Sequence, residues 1–173
     1  SQLAAGVIPL SLAAGEFDAD RLTDLALTQS GEEQILLFRN LGSRRFADPF
    51  PQKVIAHEAP VGGRPYMLVA GDFDEDGGDD LVVSYPYEGK LGFLKHPMLF
   101  GDGDAVVINT RDHRYLAAGD FDGDHLLDLM TTGNAFDGLS LHLNGGNGSF
   151  DGEPPFFPAG DHAGALAVGD FDG

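Results

Sequence analysis

The chain has 173 residues, with 28 acidic against 10 basic side chains and a formal net charge of −18, a balance that repels phosphate backbones and anionic lipid surfaces and makes cations the natural partners. A 42% hydrophobic content argues against disorder, while 25 Gly and 10 Pro with no Trp suit short strands and tight turns better than a helical bundle. There is no Cys, which rules out disulfides and thiolate metal sites, and no apolar run approaches membrane-spanning length.

In chain order, the first recognisable unit is Ala14-Gly15-Glu16-Phe17-Asp18-Ala19-Asp20, with Asp24-Leu25 following. Apolar runs at 25–27 and 35–38 come next and read as strands buried on both faces. The unit returns as Ala70-Gly71-Asp72-Phe73-Asp74-Glu75-Asp76 with Asp80-Leu81, flanked by strands expected at 66–70, 81–84, 91–95 and 105–109. The third copy is Ala118-Gly119-Asp120-Phe121-Asp122-Gly123-Asp124 with Asp128-Leu129, and its strands are expected at 115–118, 127–131 and 139–143. A last strand around Phe156 and Phe157 is interrupted by prolines and belongs on an outer edge. A fourth copy, Gly169-Asp170-Phe171-Asp172-Gly173, ends before its third and fourth acids, so Gly173 is expected to be a cut rather than a natural end.

The motif glycines stand 56, 48 and 50 residues apart, a period in the range of propeller blades, each with room for four short strands. The expected fold is therefore all-β: a single β-propeller over residues 1–173, in units at about 5–60, 61–110, 111–160 and a truncated 161–173. One blade cannot cover both of its faces, so the units must pack on each other, and terminal blades call for missing blades, a cap or self-association.

Within each unit the acids fall at loop positions 1, 3, 5 and 9: Glu16, Asp18, Asp20 and Asp24; Asp72, Asp74, Asp76 and Asp80; Asp120, Asp122, Asp124 and Asp128. Odd positions of a tight loop face one way, which brings the carboxylates together and turns the Phe at position 2 to the core. The backbone carbonyl of the seventh residue, Leu22, Gly78 or Leu126, is a further donor, and Asp170 and Asp172 begin the same set in the fourth copy. Hard oxygen donors in this number suit calcium, one ion per complete loop, and like charges held so close need a counterion. An EF-hand would require a bidentate Glu at position 12, but Val83 or Thr131 stands there, and each loop runs into a strand.

At these residues the chain resembles the FG-GAP and VCBS repeats, the calcium-loop blades of integrin α-subunit propellers and of many secreted bacterial and fungal proteins. Residues 71–86 carry the strongest likeness, with Ser84-Tyr85-Pro86 in the family's Gly-Ala-Pro place; residues 144–150 resemble its Asn-x-Gly-x-Gly-x-Phe turn, and 40–46 form a degenerate copy. Arg21 and His125 replace the usual small residue at loop position 6, and only Gly77 keeps it. The resemblance implies a ring of about seven four-stranded blades, of which this sequence supplies three and the start of a fourth.

No Gly-x-Ser-x-Gly, His-Glu-x-x-His or phosphate-cradling glycine loop is present, and His57, His96, His113, His125, His142 and His162 show no shared metal spacing, so no catalysis is expected. His142 reads as a core histidine and His125 as solvated; Tyr66, Tyr85, Tyr87 and Tyr115 read as packing rather than as sugar platforms. The expected function is a calcium-stabilised binding module, secreted, at the cell surface or in a bacterial periplasm, engaging a protein or glycan. The alternative is the scaffold propeller of a larger extracellular polysaccharide-degrading enzyme.

Overall fold

The computed structural model describes residues 8–31, 33–47, 63–97, 105–110, 114–133, 136–150, 155–160 and 164–169. Among these there is no helix; eleven strands form three antiparallel sheets. The first sheet comprises β1 (Pro9–Gly15), β2 (Asp24–Gln29) and β3 (Gln34–Phe38). The second comprises β4 (Leu68–Gly71), β5 (Asp80–Tyr85), β6 (Lys90–Leu94) and β7 (Ala105–Asn109). The third comprises β8 (Tyr115–Gly119), β9 (Asp128–Gly133), β10 (Phe136–His142) and β11 (Phe156–Pro158). Each sheet is an up-and-down meander in chain order. The four-strand period expected from sequence holds in the second and third sheets, while three strands are described in the first.

The run Asp80-Leu81-Val82-Val83-Ser84-Tyr85 is buried at every position because β5 lies between two cores. Alternate side chains leave opposite faces of a strand. Leu81, Val83 and Tyr85 accordingly enter one core with Phe17, Ala26, Ile35 and Leu37 of the first unit. Val82 enters the other, with Phe73, Leu91, Phe93, Leu116, Leu129 and Phe150. Continuous apolar sequence here reflects two-sided burial, and each fully buried Phe contributes about 2–3 kcal/mol by area.

The leading strands β1, β4 and β8 are neighbours in that order, so the sheets succeed one another through their first strands. Buried hydroxyls latch the steps. Thr28, five residues into β2, donates through Oγ1 to the Tyr66 carbonyl at 2.8 Å, and Ser84, at the same place in β5, donates through Oγ to the Arg114 carbonyl at 3.0 Å. Both carbonyls precede the first strand of the next sheet. Fully buried Tyr85 is a packing residue; Tyr66 and Tyr115 meet edge-on at 6.0 Å, while Tyr87 is exposed. The short β11 pairs only with β10 and forms the sheet's outer edge, where Phe156 and Phe157 stay exposed.

Candidate metal centre

In all three sheets the first hairpin closes in one register, with the motif Gly opposite the ninth-position Asp: Gly15 with Asp24, Gly71 with Asp80 and Gly119 with Asp128. The acidic loop is the connection between them. Its fourth and sixth residues are left-handed each time: Ala19 and Arg21 (φ 64° and 66°), Glu75 and Gly77 (60° and 95°), Gly123 and His125 (86° and 76°). Side-chain-bearing residues adopt this region at a cost of about 1 kcal/mol, which is why a small residue suits position 6 and why Arg21 and His125 are tolerated rather than favoured. The exposed His125 side chain reaches solvent, as expected.

The ninth-position aspartates, Asp24, Asp80 and Asp128, are wholly buried. One carboxylate oxygen of each accepts the backbone N–H of the loop phenylalanine: Phe17 at 3.3 Å, Phe73 at 3.1 Å, Phe121 at 2.8 Å. The other accepts the N–H of the second residue beyond the third strand: Asn40 at 2.7 Å, His96 at 3.1 Å, Asn144 at 2.8 Å. Each aspartate thus pins the loop to the end of the third strand of its sheet. The pinning also seats the loop phenylalanine, with Phe17 and Phe73 fully buried; Phe121 is only half-buried.

Carboxylate oxygens of positions 1, 3 and 9 lie within 4.8 Å of one another in every loop: Glu16, Asp18 and Asp24; Asp72, Asp74 and Asp80; Asp120, Asp122 and Asp128. Loop N–H groups orient them. Asp72 accepts from Asp76 and Gly77, Asp120 from Gly123 and His125, and Glu16 from Asp18 and Asp20. The fifth-position carboxylates stand outside these groups: Asp20, Asp76 and Asp124 each turn Oδ1 to the N–H of the seventh residue, Leu22 at 2.8 Å, Gly78 at 3.1 Å and Leu126 at 2.9 Å. Asp170 and Asp172, like His57, His113 and His162, lie outside the described residues.

Burial pushes the Asp80 carboxyl up to about 6, with the Asp74 and Asp76 charges adding and the His96 and Phe73 N–H groups opposing. Burial likewise raises Asp24 and Asp18. A cation entering the second loop below pH 6 must therefore displace a proton. Asp74 departs from the pattern. Burial is the largest single influence on it and acts upward, but hydrogen bonding and charge from Lys95, aided by the Asp76 N–H, bring it below the ordinary carboxylate value.

Lys95 Nζ lies 2.7 Å from Asp74 Oδ2, and His96 Nε2 lies 3.1 Å from Asp76 Oδ1. In the first loop Arg39 Nε pairs with Asp18 while Nη2 reaches Asp20 at 3.3 Å. Gly78 leaves the space His96 occupies, since a Cβ there would collide with the imidazole. Loop spacing alone does not reveal these basic partners. The available signal is their place fifteen residues after the ninth aspartate, Arg39 after Asp24 and Lys95 after Asp80.

Three preoriented carboxylates, all hard oxygen donors and no nitrogen or sulfur, fit calcium: two oxygens on one such ion can be about 5 Å apart, twice the Ca–O distance, and the 4.8 Å limit satisfies this. Positions 1, 3 and 9 would hold it. Away from the loops, buried His142 places Nε2 3.3 Å from Thr131 Oγ1, as a core histidine should.

The fold and site together define a repeat protein of antiparallel sheets, each carrying an acidic hairpin loop in the same register. Over residues 16–83, from the first acidic loop through most of β5, the chain matches the family model of the FG-GAP-like repeat, in agreement with the FG-GAP/VCBS resemblance of its motifs. The third loop repeats the same hydrogen bonds beyond the matched span. No curated protein matches the chain.

Proposed function

We propose that the chain is a stretch of a calcium-stabilised β-propeller, displayed outside the cell, whose stiffened loops and sheets present a binding surface for a protein or glycan rather than a catalytic centre. The observation that carries this reading is threefold recurrence. Three carboxylate groups arise at one register of three successive sheets, each with its ninth aspartate pinned by the same two backbone N–H groups. The succession of β1, β4 and β8 supports a radial arrangement, and the FG-GAP-like match supports an extracellular module. No helix among the described residues is long and apolar enough to cross a membrane. Millimolar extracellular calcium is the supply that weak all-oxygen sites need.

An ion that binds only the folded state stabilises it by about 2.7 kcal/mol per site at a hundred times its Kd. For a chain of this size that corresponds to roughly 5–10 °C in Tm per site. Melting the protein in millimolar calcium and in chelator should show an upward shift of this order or more. Asp74→Ala and Asp122→Ala should each remove part of it. Identical melting curves in both buffers, with no metal retained on elemental analysis, would overturn the calcium reading. A glycan array and a pull-down with extracellular proteins, run beside a glycan-cleavage assay, test the rest: binding without turnover is expected, and turnover of a bound glycan contradicts it.

A further inference from the structure

Arg39, Lys95 and Leu143 occupy equivalent places, each the first residue beyond the third strand of its sheet and fifteen after the ninth aspartate. Two of them are cations, and both turn into the acidic group of their own loop. Lys95 puts Nζ 2.7 Å from Asp74 Oδ2, beside a side chain only 6% exposed, with its ammonium 5.8 Å from the Phe93 ring centre. Arg39 bridges Asp18 and Asp20. Leu143 brings no charge, and among the described residues no lysine or arginine pairs with Asp120, Asp122 or Asp128. Among the described residues, the basic group beside that triad is His125, exposed and 3.8 Å from Asp120 Oδ2.

Resting on the calcium reading above, we propose that Arg39 and Lys95 are tethered cations that compete with calcium for the first two loops, so that the loops load in order: third, second, first. An ammonium on Asp74 Oδ2 occupies a carboxylate oxygen of the triad, and like charges at such separations repel strongly where solvent is partly excluded. A calcium ion must therefore displace Lys95 or share Asp74 with it, whereas the third triad demands no such exchange. The first loop binds weakest. The guanidinium cannot lose its charge, and it spans two carboxylates where an ammonium holds one. Displacing Lys95 also releases its 3.4 Å hydrogen bond to the Asn147 carbonyl in the turn of the third sheet, so filling the second loop alters its tie to the next sheet.

Direct calcium titration of the whole chain at low salt, by calorimetry and by equilibrium dialysis, tests the order. Stepwise binding is expected, and Asp122→Ala should delete the tightest step. Lys95→Leu should tighten an intermediate step by about tenfold or more, and Leu143→Lys should weaken the tightest by a similar factor. Melting curves supply a readout that a merely structural contact would not move in this way. Lys95→Leu should lower Tm in chelator yet enlarge the calcium increment, and Leu143→Lys, at a partly exposed position, should do the reverse. Three equal affinities unchanged by these substitutions would refute the competition while leaving calcium binding intact, as would a Lys95→Leu variant that loses stability equally in both buffers. No calcium bound by the wild type or any variant would remove both readings together.

Discussion

At the scale of single residues, the three carboxylates of each triad do different work. The ninth aspartate is a brace first: both oxygens accept backbone N–H groups, one in the loop and one beyond the third strand. Removing it leaves two donors without acceptors, at about 1–3 kcal/mol each. Asp128→Ala should therefore lower the unfolding free energy by about 2–4 kcal/mol even in chelator, as read from urea denaturation. Asp124→Ala, at the exposed fifth position, should cost no more than about 1 kcal/mol under the same conditions. Equal losses would show that the ninth aspartate has no bracing role. The 1-3-5-9 spacing made all these residues legible as a set, because carboxylate clustering is a local property of a tight loop. The split between brace and ligand was not legible. It depends on which residue of the third strand's end, sixteen positions away, donates its N–H, and that is fixed by ladder register. Arg39 and Lys95 escaped for the same reason.

At the scale of elements, a continuous apolar run located its strand whether it is buried on both faces, as in β5, or carries an exposed Val106, as in β7. The expected strand at 105–109 coincides with β7, and 81–84, 91–95 and 139–143 fall within one to three residues of β5, β6 and β10 at either end. β1 had no such signal: Ser11 interrupts its apolar residues, and Leu10 and Leu12 on either side of it are exposed. The glycine-rich turn at 144–150 was recognisable by pattern, but its role is tertiary. Asn144 Nδ2 donates to the Phe73 carbonyl at 2.7 Å, and Gly148 N–H donates to the same oxygen at 3.1 Å. Phe150 completes an aromatic triangle with Phe73 and Phe93, with centroids 6.0 to 6.2 Å apart. The turn of the third sheet is thus seated on the acidic loop of the second. Gly148 and Gly146 both have positive φ, 68° and 93°, but a Cβ at 148 would strike the Phe93 ring while one at 146 meets nothing within 4 Å. Gly148→Ala should consequently lower the unfolding free energy well beyond the cost of backbone strain, and Gly146→Ala by about 1 kcal/mol of strain alone, as read from urea denaturation. Equal shifts for the two variants would mean that the turn does not rest on Phe93.

At the scale of the whole molecule, the sheets and the charge pull against each other. Two apolar cores bind the middle sheet on both faces, while the acidic loops repeat at the same end of each first hairpin, within a chain of formal charge −18. A chain so far from neutrality repels itself when folded, and the repulsion concentrates where the loops are chained together: Asp79 of the second loop accepts the Glu16 N–H of the first at 2.8 Å and donates to its carbonyl at 2.9 Å. Three divalent ions carry six positive charges, which would take the formal −18 to −12 at the points of highest charge density. Monovalent salt acts on the same repulsion less specifically, by shortening the Debye length from roughly 20 Å to about 7 Å between about 20 and 200 mM. In chelator, that increase in sodium chloride should raise Tm by several degrees, and in saturating calcium the rise should shrink to less than about half. Calorimetric melts at fixed pH measure both. A salt effect of equal size with and without calcium would place the repulsion elsewhere on the surface, and a salt effect of opposite sign would mean that the ion pairs of Arg39 and Lys95 outweigh it.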